Sequence, residues 1–557
     1  MSYVIDPDLL ENMNLRKAKD PDVTGPYEIV IPERTNIATD TVGKYAKQFP
    51  DRLALVFEEA DLSIRSWTFS ELDGIASNLA QSLRELGVTR GDRVAIHTGL
   101  RPETGISHLA IYKLGAVAVT LSQLYGPDTL EHILNHAEAK AIITQDTAWD
   151  QYRGKLDRFP TLDEVIVVGQ AREHETSFAN CLSADGSALQ PADTAADEPA
   201  LLMYTSGSTG MPKGMLHGHR VLQSYIPSLT MAFNLDRDDP EAVFWSPADW
   251  AWVGGLLDAL LIGWAFGHTV ATAEHRFDPE WCFGFMARQK VTHTFLTPTA
   301  LKRLAQIEQP ASQWDLALRV IISGGEQLPA AVLNWAEDEL GVVCNEFYGL
   351  TEVNHLIGCC KALYPARPGS MGLAYPGHGT TIVDDNGREL ADGEVGEVVT
   401  RGDDATQFLG YWKDEAKSAD LRLGGWLRTR DLALRDEDGY FWYRGRTDDL
   451  IKSAGYRIGP AEVEDCLARH PAIAEAAVIG SPDAERGAIV KAFVRLVAGV
   501  EGSAELTEEL QAHVKSRLAA YKYPREIEYV DDMETTTSGK LNRKLLRELE
   551  EQRKGKF

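Results

Sequence analysis

The feature that most constrains the fold is a regular alternation of amphipathic helical segments with short apolar runs rich in β-branched residues. Residues 68–87 carry an apolar side chain near every fourth position and end at Gly87, which predicts a helix with Ser70 as its N-cap. Five apolar runs stop at polar or glycine residues, as strands of a buried parallel sheet do. These runs are DRVAIHTG, AKAIITQ, DEVIVVG, ALRVIISGGE and VVCNEFYG. The pattern predicts a large N-terminal α/β domain of layered sheets and helices.

Near Asp448 the pattern changes to that of a smaller unit. PAEVEDCLARH reads as a helix, VKAFVRLV as a strand, and AELTEELQAHVKSRLAAYKYP as a second helix. A chain of 557 residues is long enough for two domains. We therefore expect the α/β domain in residues 1–447 and a small α+β C-terminal domain in residues 448–557.

The composition excludes several classes of protein. A formal net charge of -27 disfavours binding to nucleic acid or to an anionic membrane surface. The N-terminus lacks an apolar signal core, and no apolar run reaches the roughly 18 residues of a spanning helix. We expect a cytoplasmic protein without membrane insertion. The six cysteines form no C-x-x-C pair, which favours buried thiols over disulfides or a zinc site.

A loop rich in glycine and hydroxyl residues, LLMYTSGSTGMPKGMLHGHR, follows one apolar run at residues 201–220. It does not satisfy the Walker A pattern, because Lys213 is followed by Gly214. Its backbone N–H groups and its lysine could still hold a polyphosphate, although a mobile surface loop has the same composition. The candidate phosphate-binding residues are Thr205, Ser206, Gly207, Ser208, Thr209, Gly210 and Lys213.

Five separated motifs together resemble the adenylate-forming superfamily of acyl-CoA synthetases, adenylation domains and luciferases. They are YTSGSTGMPKG (204–214), FYGLTE (347–352), LRTRDLA (427–433), YRGRTDDLIKSAGYRIGPAEVE (443–464) and TTTSGKLNRK (535–544). The resemblance implies a reaction in which a carboxylate attacks the α-phosphorus of ATP and expels pyrophosphate. The acyl-adenylate then transfers its acyl group to the thiol of CoA.

The resemblance also implies a role for each matched residue of the ATP site. Thr351 would touch the α-phosphate, and Glu352 would coordinate Mg²⁺. Asp431 would accept the ribose hydroxyls, and Tyr348 would stack on the adenine. The other matched residues are Gly324, Gly325 and Glu326 along the adenine, Gly349 beside it, and Arg446 and Arg457 at the ribose and phosphates.

Three further matches concern catalysis and CoA. Lys540 would bridge the substrate carboxylate and the α-phosphate, adding positive charge to the transition state. Asp448 would be the hinge about which the C-terminal domain rotates between the two half-reactions. Gly455 would leave space for the pantetheine tunnel. An acidic turn at Asp448 and an ordinary turn glycine at Gly455 are the alternatives.

The acyl pocket is predicted less sharply. Family members line it with the segment that here contains Trp252, Val253 and Gly254. Acetate-specific relatives carry tryptophan at the position of Gly349, so we expect a larger acid of medium chain length or aryl type. His217 and His219 could touch the substrate or be structural.

The sequence predicts an AMP-forming acyl-CoA synthetase that uses ATP and CoA as co-substrates and Mg²⁺ as its cofactor. Two alternatives stay open: a stand-alone ligase that loads a carrier-protein phosphopantetheine, and a non-catalytic adenylate-binding protein. The expected partner is a small carboxylic acid. A homo-oligomer and a lysine acetyltransferase acting on Lys540 are further partners to be tested.

Overall fold

The computed structural model describes residues 4–19, 26–205, 211–453, 456–483, 486–519, 521–534 and 541–554. The chain divides into two compact units: residues 1–380 with 401–422, and residues 381–400 with 423–557. A large α/β unit and a smaller unit confirm the predicted fold class. A domain boundary between residues 447 and 448 stays a prediction.

One sheet of the first unit contains eight strands among the described residues. Its central pairs are parallel, and its last two strands along one edge are antiparallel. In spatial order the strands are Gly410–Tyr411, Lys213–Gly218, Pro199–Thr205, Val117–Thr120, Arg93–His97, Ala141–Gln145, Glu164–Val168 and Thr176–Ser177. Three of the five apolar runs singled out in the sequence form strands of this sheet.

A second sheet of the first unit contains nine strands in the part of the chain described. Its interior pairs are again parallel, and antiparallel strands close both edges. The strands in spatial order are Leu373–Ala374, Asn354–Gly358, Val343–Leu350, Val320–Gly324, His293–Phe295, Val243–Trp245, Thr269–Ala273, Leu53–Glu58 and Ile64–Thr68. The remaining two apolar runs form its neighbouring strands Val320–Gly324 and Val343–Leu350.

Helices connect these strands, and several begin at proline, which suits the first helical position. The longer ones are Val42–Gln48, Phe69–Glu85, Pro102–Lys113, Pro127–Ala137, Arg220–Ala232, Pro279–Arg288, Pro298–Leu304 and Ala330–Leu340. The shorter ones are Pro7–Leu10, Ile37–Asp40, Asp146–Trp149, Asp150–Tyr152, Leu156–Arg158, Phe178–Cys181, Val253–Gly255, Leu256–Leu261, Ile262–Phe266, Pro310–Gln313 and Glu415–Asp420. Leu256–Leu261 is a π-helix.

The helix Phe69–Glu85 confirms the predicted element but corrects its cap. Thr68, not Ser70, is the N-cap: its hydroxyl accepts the Glu71 N–H, and the Glu71 carboxylate accepts the Thr68 N–H. This reciprocal pair satisfies two donors at once, so it is stronger than a single Ser70 cap. Gly87, with φ of +89°, ends the helix as predicted.

The second unit is built of small, mostly antiparallel sheets and three longer helices. Five strands form one sheet: Thr381–Val383, Val395–Arg401, Trp426–Arg435, Arg422–Leu423 and Phe441–Arg446. The other strands are Ile451–Ser453 with Tyr456–Ile458, and Ile473–Asp483 with Gly487–Leu496 and Glu526–Tyr529. The helices are Thr447–Asp449, Pro460–Ala468, Ala504–Arg517 and Arg543–Lys554, the first a short 3₁₀ turn.

The first unit contains one more, short pair of antiparallel strands, Leu15–Lys17 and Tyr27–Ile29.

Both units bury apolar side chains between their helices and sheets. All six cysteines are buried free thiols, as predicted. No helix in the described ranges is both long and apolar enough to cross a membrane.

Candidate active site

The predicted phosphate loop joins two neighbouring antiparallel strands of the eight-stranded sheet. Thr205 ends one strand, Lys213 begins the next, and the two residues are direct partners across the ladder. The structure thus brings the first and last residues of the proposed loop together. Ser206, Gly207, Ser208, Thr209 and Gly210 lie outside the described residues.

Glu352 is held by a segment that the sequence analysis did not identify. The Phe408 N–H donates to the Glu352 backbone carbonyl at 2.7 Å, and the Tyr411 hydroxyl donates to Glu352 Oε1 at 2.7 Å. The Lys213 ammonium lies 5.8 Å from the centre of the Tyr411 ring. Tyr411 therefore lies between the proposed phosphate-binding lysine and the proposed metal-binding carboxylate. Their separation along the chain left no sequence signal for this contact.

The two histidines that follow the loop are buried in the interior of the first unit. Burial lowers the pKa of His217 to about 3, and the positive charge of Arg220 acts in the same direction. A backbone hydrogen bond with Thr351 opposes this shift. Burial lowers the pKa of His219 to about 4, and its Nδ1 accepts the Ile37 N–H at 3.4 Å. Both rings are therefore neutral at physiological pH, and the contact of His219 is structural.

The proposed adenine segment lies where one parallel strand ends. Gly324 is the last residue of Val320–Gly324 and pairs with Phe347 of the next strand. A Cβ on Gly324 would lie 2.5 Å from the Phe347 ring, so the glycine lets this ring pack against the strand. Gly325 follows with φ of +89°, and Glu326 accepts a 2.7 Å hydrogen bond from the Thr299 hydroxyl. Tyr348, half-buried, is the next residue after Phe347.

Thr351 and Gly349 lie at the hairpin formed by strands Val343–Leu350 and Asn354–Gly358. The pairing of Gly349 with His355 lies next to a register shift. A Cβ on Gly349 would lie 2.2 Å from the Asn354 carbonyl oxygen and 2.9 Å from the His355 Cα. The glycine is therefore required by the backbone of the hairpin, and its missing side chain is directed at the partner strand. The expectation of a larger acid thus cannot rest on Gly349.

The proposed acyl-pocket residues lie at the start of the Val253–Gly255 turn and are half-buried. The Trp252 ring meets Tyr125 edge to face with centroids 5.8 Å apart. A Cβ on Gly254 would lie 2.3 Å from the Phe295 ring, which in turn lies 6.0 Å from the Phe347 ring. We call these four rings, Trp252, Tyr125, Phe295 and Phe347, the aromatic wall. The sequence motifs proposed Trp252, Val253 and Gly254 for the acyl pocket and carried no signal for the contacts between these rings.

In the second unit, Asp431 is buried on strand Trp426–Arg435 and directly pairs with Arg446 across the ladder. Arg446 donates to Asp431 Oδ1 at 3.3 Å, and the Tyr443 hydroxyl is 3.5 Å from the same oxygen. Burial, and next the Asp431 carboxylate, raise the pKa of Tyr443, which keeps it a neutral donor. The structure thus brings together two of the residues proposed for the ribose.

Asp448 lies in the 3₁₀ turn Thr447–Asp449, and Arg457 lies on strand Tyr456–Ile458. The side chains of both, and all of Gly455 and Lys540, fall outside the described part of the chain. Three residues beyond Lys540, Arg543 forms an ion pair with Glu464. This pair ties the end of the lysine motif to the helix Pro460–Ala468.

Comparisons with known proteins agree with this geometry. The AMP-binding enzyme family matches residues 42–412, and the AMP-binding enzyme C-terminal domain matches residues 462–540. The acetyl-coenzyme A synthetase of Bacillus subtilis (strain 168) is 34% identical over 92% of this chain and 90% of its own. The mitochondrial acyl-coenzyme A synthetase ACSM3 of Mus musculus is 32% identical over 94% of this chain and 92% of its own. The crystal structure of the anthranilate CoA ligase AuaEII in complex with anthranoyl-AMP has a TM-score of 0.84 at 30% identity, covering 94% of this chain and 99% of that one.

The chain belongs to the AMP-binding enzyme family, the class that its layered α/β unit and smaller C-terminal unit define. Within that class it is an AMP-forming acyl-CoA synthetase, an acid–thiol ligase that proceeds through an acyl-adenylate. ATP, CoA and a small carboxylic acid are its substrates.

Proposed function

We propose that this acyl-CoA synthetase acts on a medium-chain or aryl carboxylic acid. The observation that carries the proposal is the aromatic wall beside Gly254. Aromatic and apolar linings gain most from ligands that bury a ring or several methylene groups, and acetate offers neither. The likeness to a ligase whose structure contains anthranoyl-AMP supports the same size class.

For the adenylation step we propose that Lys213 and the loop from Thr205 hold the β- and γ-phosphates of ATP. Thr351 would contact the α-phosphate, and Tyr348 with the segment from Gly324 would hold the adenine. Asp431 is proposed to accept the ribose hydroxyls, because a carboxylate can accept from both hydroxyls of a cis-diol. Arg446 and Arg457 would add positive charge near the ribose and phosphates. These assignments rest on the matched motifs and on the paired placement of Thr205 with Lys213 and of Asp431 with Arg446.

Mg²⁺ fits the residues around Glu352. Mg²⁺ is usually bound by one or two carboxylates together with substrate phosphates and water, rather than by a cage of protein ligands. Glu352 supplies such a carboxylate, and the Tyr411 hydroxyl that donates to its Oε1 would fix its orientation. When bound, Mg²⁺ would screen the charge of the departing pyrophosphate.

For the second half-reaction we propose that Asp448 is the hinge, that Lys540 acts in adenylation alone, and that Gly455 admits pantetheine. The ion pair of Arg543 with Glu464 supports a fixed position for the segment that follows Lys540. A cytoplasmic location, a homo-oligomer and acetylation of Lys540 by a lysine acetyltransferase stay predictions.

The test is pyrophosphate release with a panel of acids from acetate to decanoate, together with benzoate and its derivatives, in the presence and absence of CoA. We expect a kcat/KM for a medium-chain or aryl acid at least about tenfold above that for acetate, since each buried methylene contributes about 1 kcal/mol. Removing the Trp252 ring by Trp252→Ala should broaden the range of acids. Acetate as the best substrate would overturn the assignment while leaving the enzyme class intact.

A further inference from the structure

A buried cluster of polar side chains lies beside the aromatic wall. Tyr225 is on the helix Arg220–Ala232, Asp258 on the π-helix Leu256–Leu261, and His355 on the strand Asn354–Gly358. None of the three residues exceeds 3% exposure. His355 Nε2 is 3.3 Å from Asp258 Oδ2, and the Tyr225 ring lies 5.3 Å from the His355 ring.

Each member of this cluster retains one polar atom with no hydrogen-bond partner in the described residues. These atoms are the Tyr225 hydroxyl oxygen, Asp258 Oδ1 and His355 Nδ1. Buried polar atoms are nearly always paired, because leaving one unpaired sacrifices its hydration without replacement. Three such atoms from three different elements indicate a site that binds a polar group.

The π-helix is a second, independent indication. Its wider turn interrupts the regular i→i+4 hydrogen bonds, and such turns are frequent at functional sites. Here it directly follows the turn of Trp252, Val253 and Gly254, and it carries Asp258 into the protein interior. The unusual helix therefore connects the proposed acyl-pocket segment to the polar cluster.

Contacts between rings place the cluster at one end of the aromatic wall. The His355 ring lies 3.9 Å from the Phe347 ring. The Phe347 ring is next to the Phe295 ring, which in turn lies beside Gly254. An acid lying along these rings would thus approach His355 and Asp258. Because the Phe347 and Phe295 rings are apolar, the cluster supplies the polar recognition at this end of the wall.

The hydrogen-bonding capacity of the cluster defines what it can recognise. With the Nε2 hydrogen of His355 directed at Asp258, His355 Nδ1 is an acceptor, and Asp258 Oδ1 is another. The Tyr225 hydroxyl can donate as well as accept. An amino substituent can donate to both acceptors, whereas a hydroxyl substituent can donate to one of them and accept from the Tyr225 hydroxyl.

We propose that Tyr225, Asp258 and His355 select an acid that carries a hydroxyl or amino substituent in addition to its carboxylate. This inference rests on the proposed function and narrows its substrate class. Sites that hydrogen-bond a substituent reject the analogue lacking it, because their own polar atoms are then left unpaired.

The test compares matched acids on the wild-type enzyme: benzoate with its hydroxy and amino derivatives, and hexanoate with its hydroxy and amino derivatives. We expect a kcat/KM at least about tenfold higher for a substituted acid than for its unsubstituted parent. Tyr225→Phe removes only a hydroxyl that has no described partner, so the variant should fold and should reduce this ratio about threefold or more. Tyr152→Phe is the matched control, because the Tyr152 hydroxyl is likewise buried without a described partner but belongs to a different cluster.

A double variant, Asp258→Leu with His355→Phe, replaces both partners of the hydrogen-bonded pair by apolar groups, an exchange that can be nearly neutral for stability. It should bring the ratio close to one while unsubstituted acids are still activated. A wild-type enzyme that uses the unsubstituted acids equally well would overturn this inference and leave the proposed substrate class intact. Acetate as the best substrate would instead overturn the proposed class and this inference with it. If the double variant does not fold, an unchanged ratio in Tyr225→Phe would by itself contradict the inference.

Discussion

The hydroxyl of Tyr411 donates a 2.7 Å hydrogen bond to Glu352 Oε1, although the two residues are 59 positions apart in the chain. Tyr411 reaches this position because its strand pairs with Lys213–Gly218, the strand that begins at the proposed phosphate-binding lysine. One phenol ring thus lies between the lysine and the carboxylate that the adenylation step is proposed to use. We therefore expect Tyr411 to act as a positioning residue in that step.

Tyr411→Phe keeps the ring but removes the hydrogen bond to Glu352. We expect kcat/KM for ATP to fall about tenfold, since a hydrogen bond to a charged group contributes about 1.5–3 kcal/mol. The Mg²⁺ concentration for half-maximal pyrophosphate release should rise, which a purely structural role would not predict. Initial rates over a Mg²⁺ titration check both.

The matched control is Tyr364→Phe, which removes a phenol hydrogen bond to the Gly358 carbonyl within the same unit. It should change thermal stability by a similar amount without moving the Mg²⁺ dependence. An identical Mg²⁺ titration for Tyr411→Phe and the wild type would refute the positioning role.

Arg543→Gln breaks the ion pair with Glu464, which ties the end of the lysine motif to the helix Pro460–Ala468. Burial raises the pKa of Glu464, and Arg543 opposes that effect. Without Arg543, the buried carboxylate of Glu464 should therefore lose its compensating positive charge. We expect adenylation to slow about tenfold, while thioester formation from a supplied acyl-adenylate changes little. Arg543→Lys should recover part of the rate by restoring the charge.

Arg553→Gln provides the control for Arg543, because it lies on the same helix and pairs with Glu528 at an exposed position. Exposed pairs contribute little, so both half-reactions should be unaffected. Equal loss of both half-reactions in Arg543→Gln would show a general structural role.

Gly455→Leu should block the proposed pantetheine tunnel, so that thioester formation falls at least about tenfold while adenylation persists. Single-turnover assays of the two half-reactions check this. Gly74→Leu is the control, because a Cβ on this helical glycine would meet no atom within 4 Å. Normal thioester formation by Gly455→Leu would place the tunnel elsewhere.

Local patterns predicted much of the fold. The apolar runs around Arg93–His97 and Val320–Gly324 became buried parallel strands, because side chains covered on both faces leave a continuous apolar signature. The cap of Phe69–Glu85 was predicted at Ser70 with Asp73 three residues on, although Thr68 and Glu71 have the same spacing. The reciprocal bonds of Thr68 and Glu71 decided it instead.

The site was predicted less completely, because its contacts join residues that are distant in sequence. Thr205 and Lys213 were proposed from a contiguous motif, whereas no motif links Tyr411 to Glu352 or Asp258 to His355. Gly349 shows a different limit: its motif was visible, but the direction of its missing side chain depends on the partner strand. Gly349→Trp would therefore disrupt the hairpin rather than reduce the size of the pocket.

The central claim is that two half-reactions use different parts of this chain, with Lys540 needed only for the first. The most direct measurement is a single-turnover comparison of wild type and Lys540→Ala, following pyrophosphate release from acid and ATP and, separately, acyl-CoA formation from a supplied acyl-adenylate. We predict that pyrophosphate release by Lys540→Ala falls at least about a hundredfold, because the variant lacks the positive charge that stabilises the negative oxygens of the transition state. Acyl-CoA formation from the supplied adenylate should be retained. Equal loss in both half-reactions, or unchanged pyrophosphate release, would contradict it.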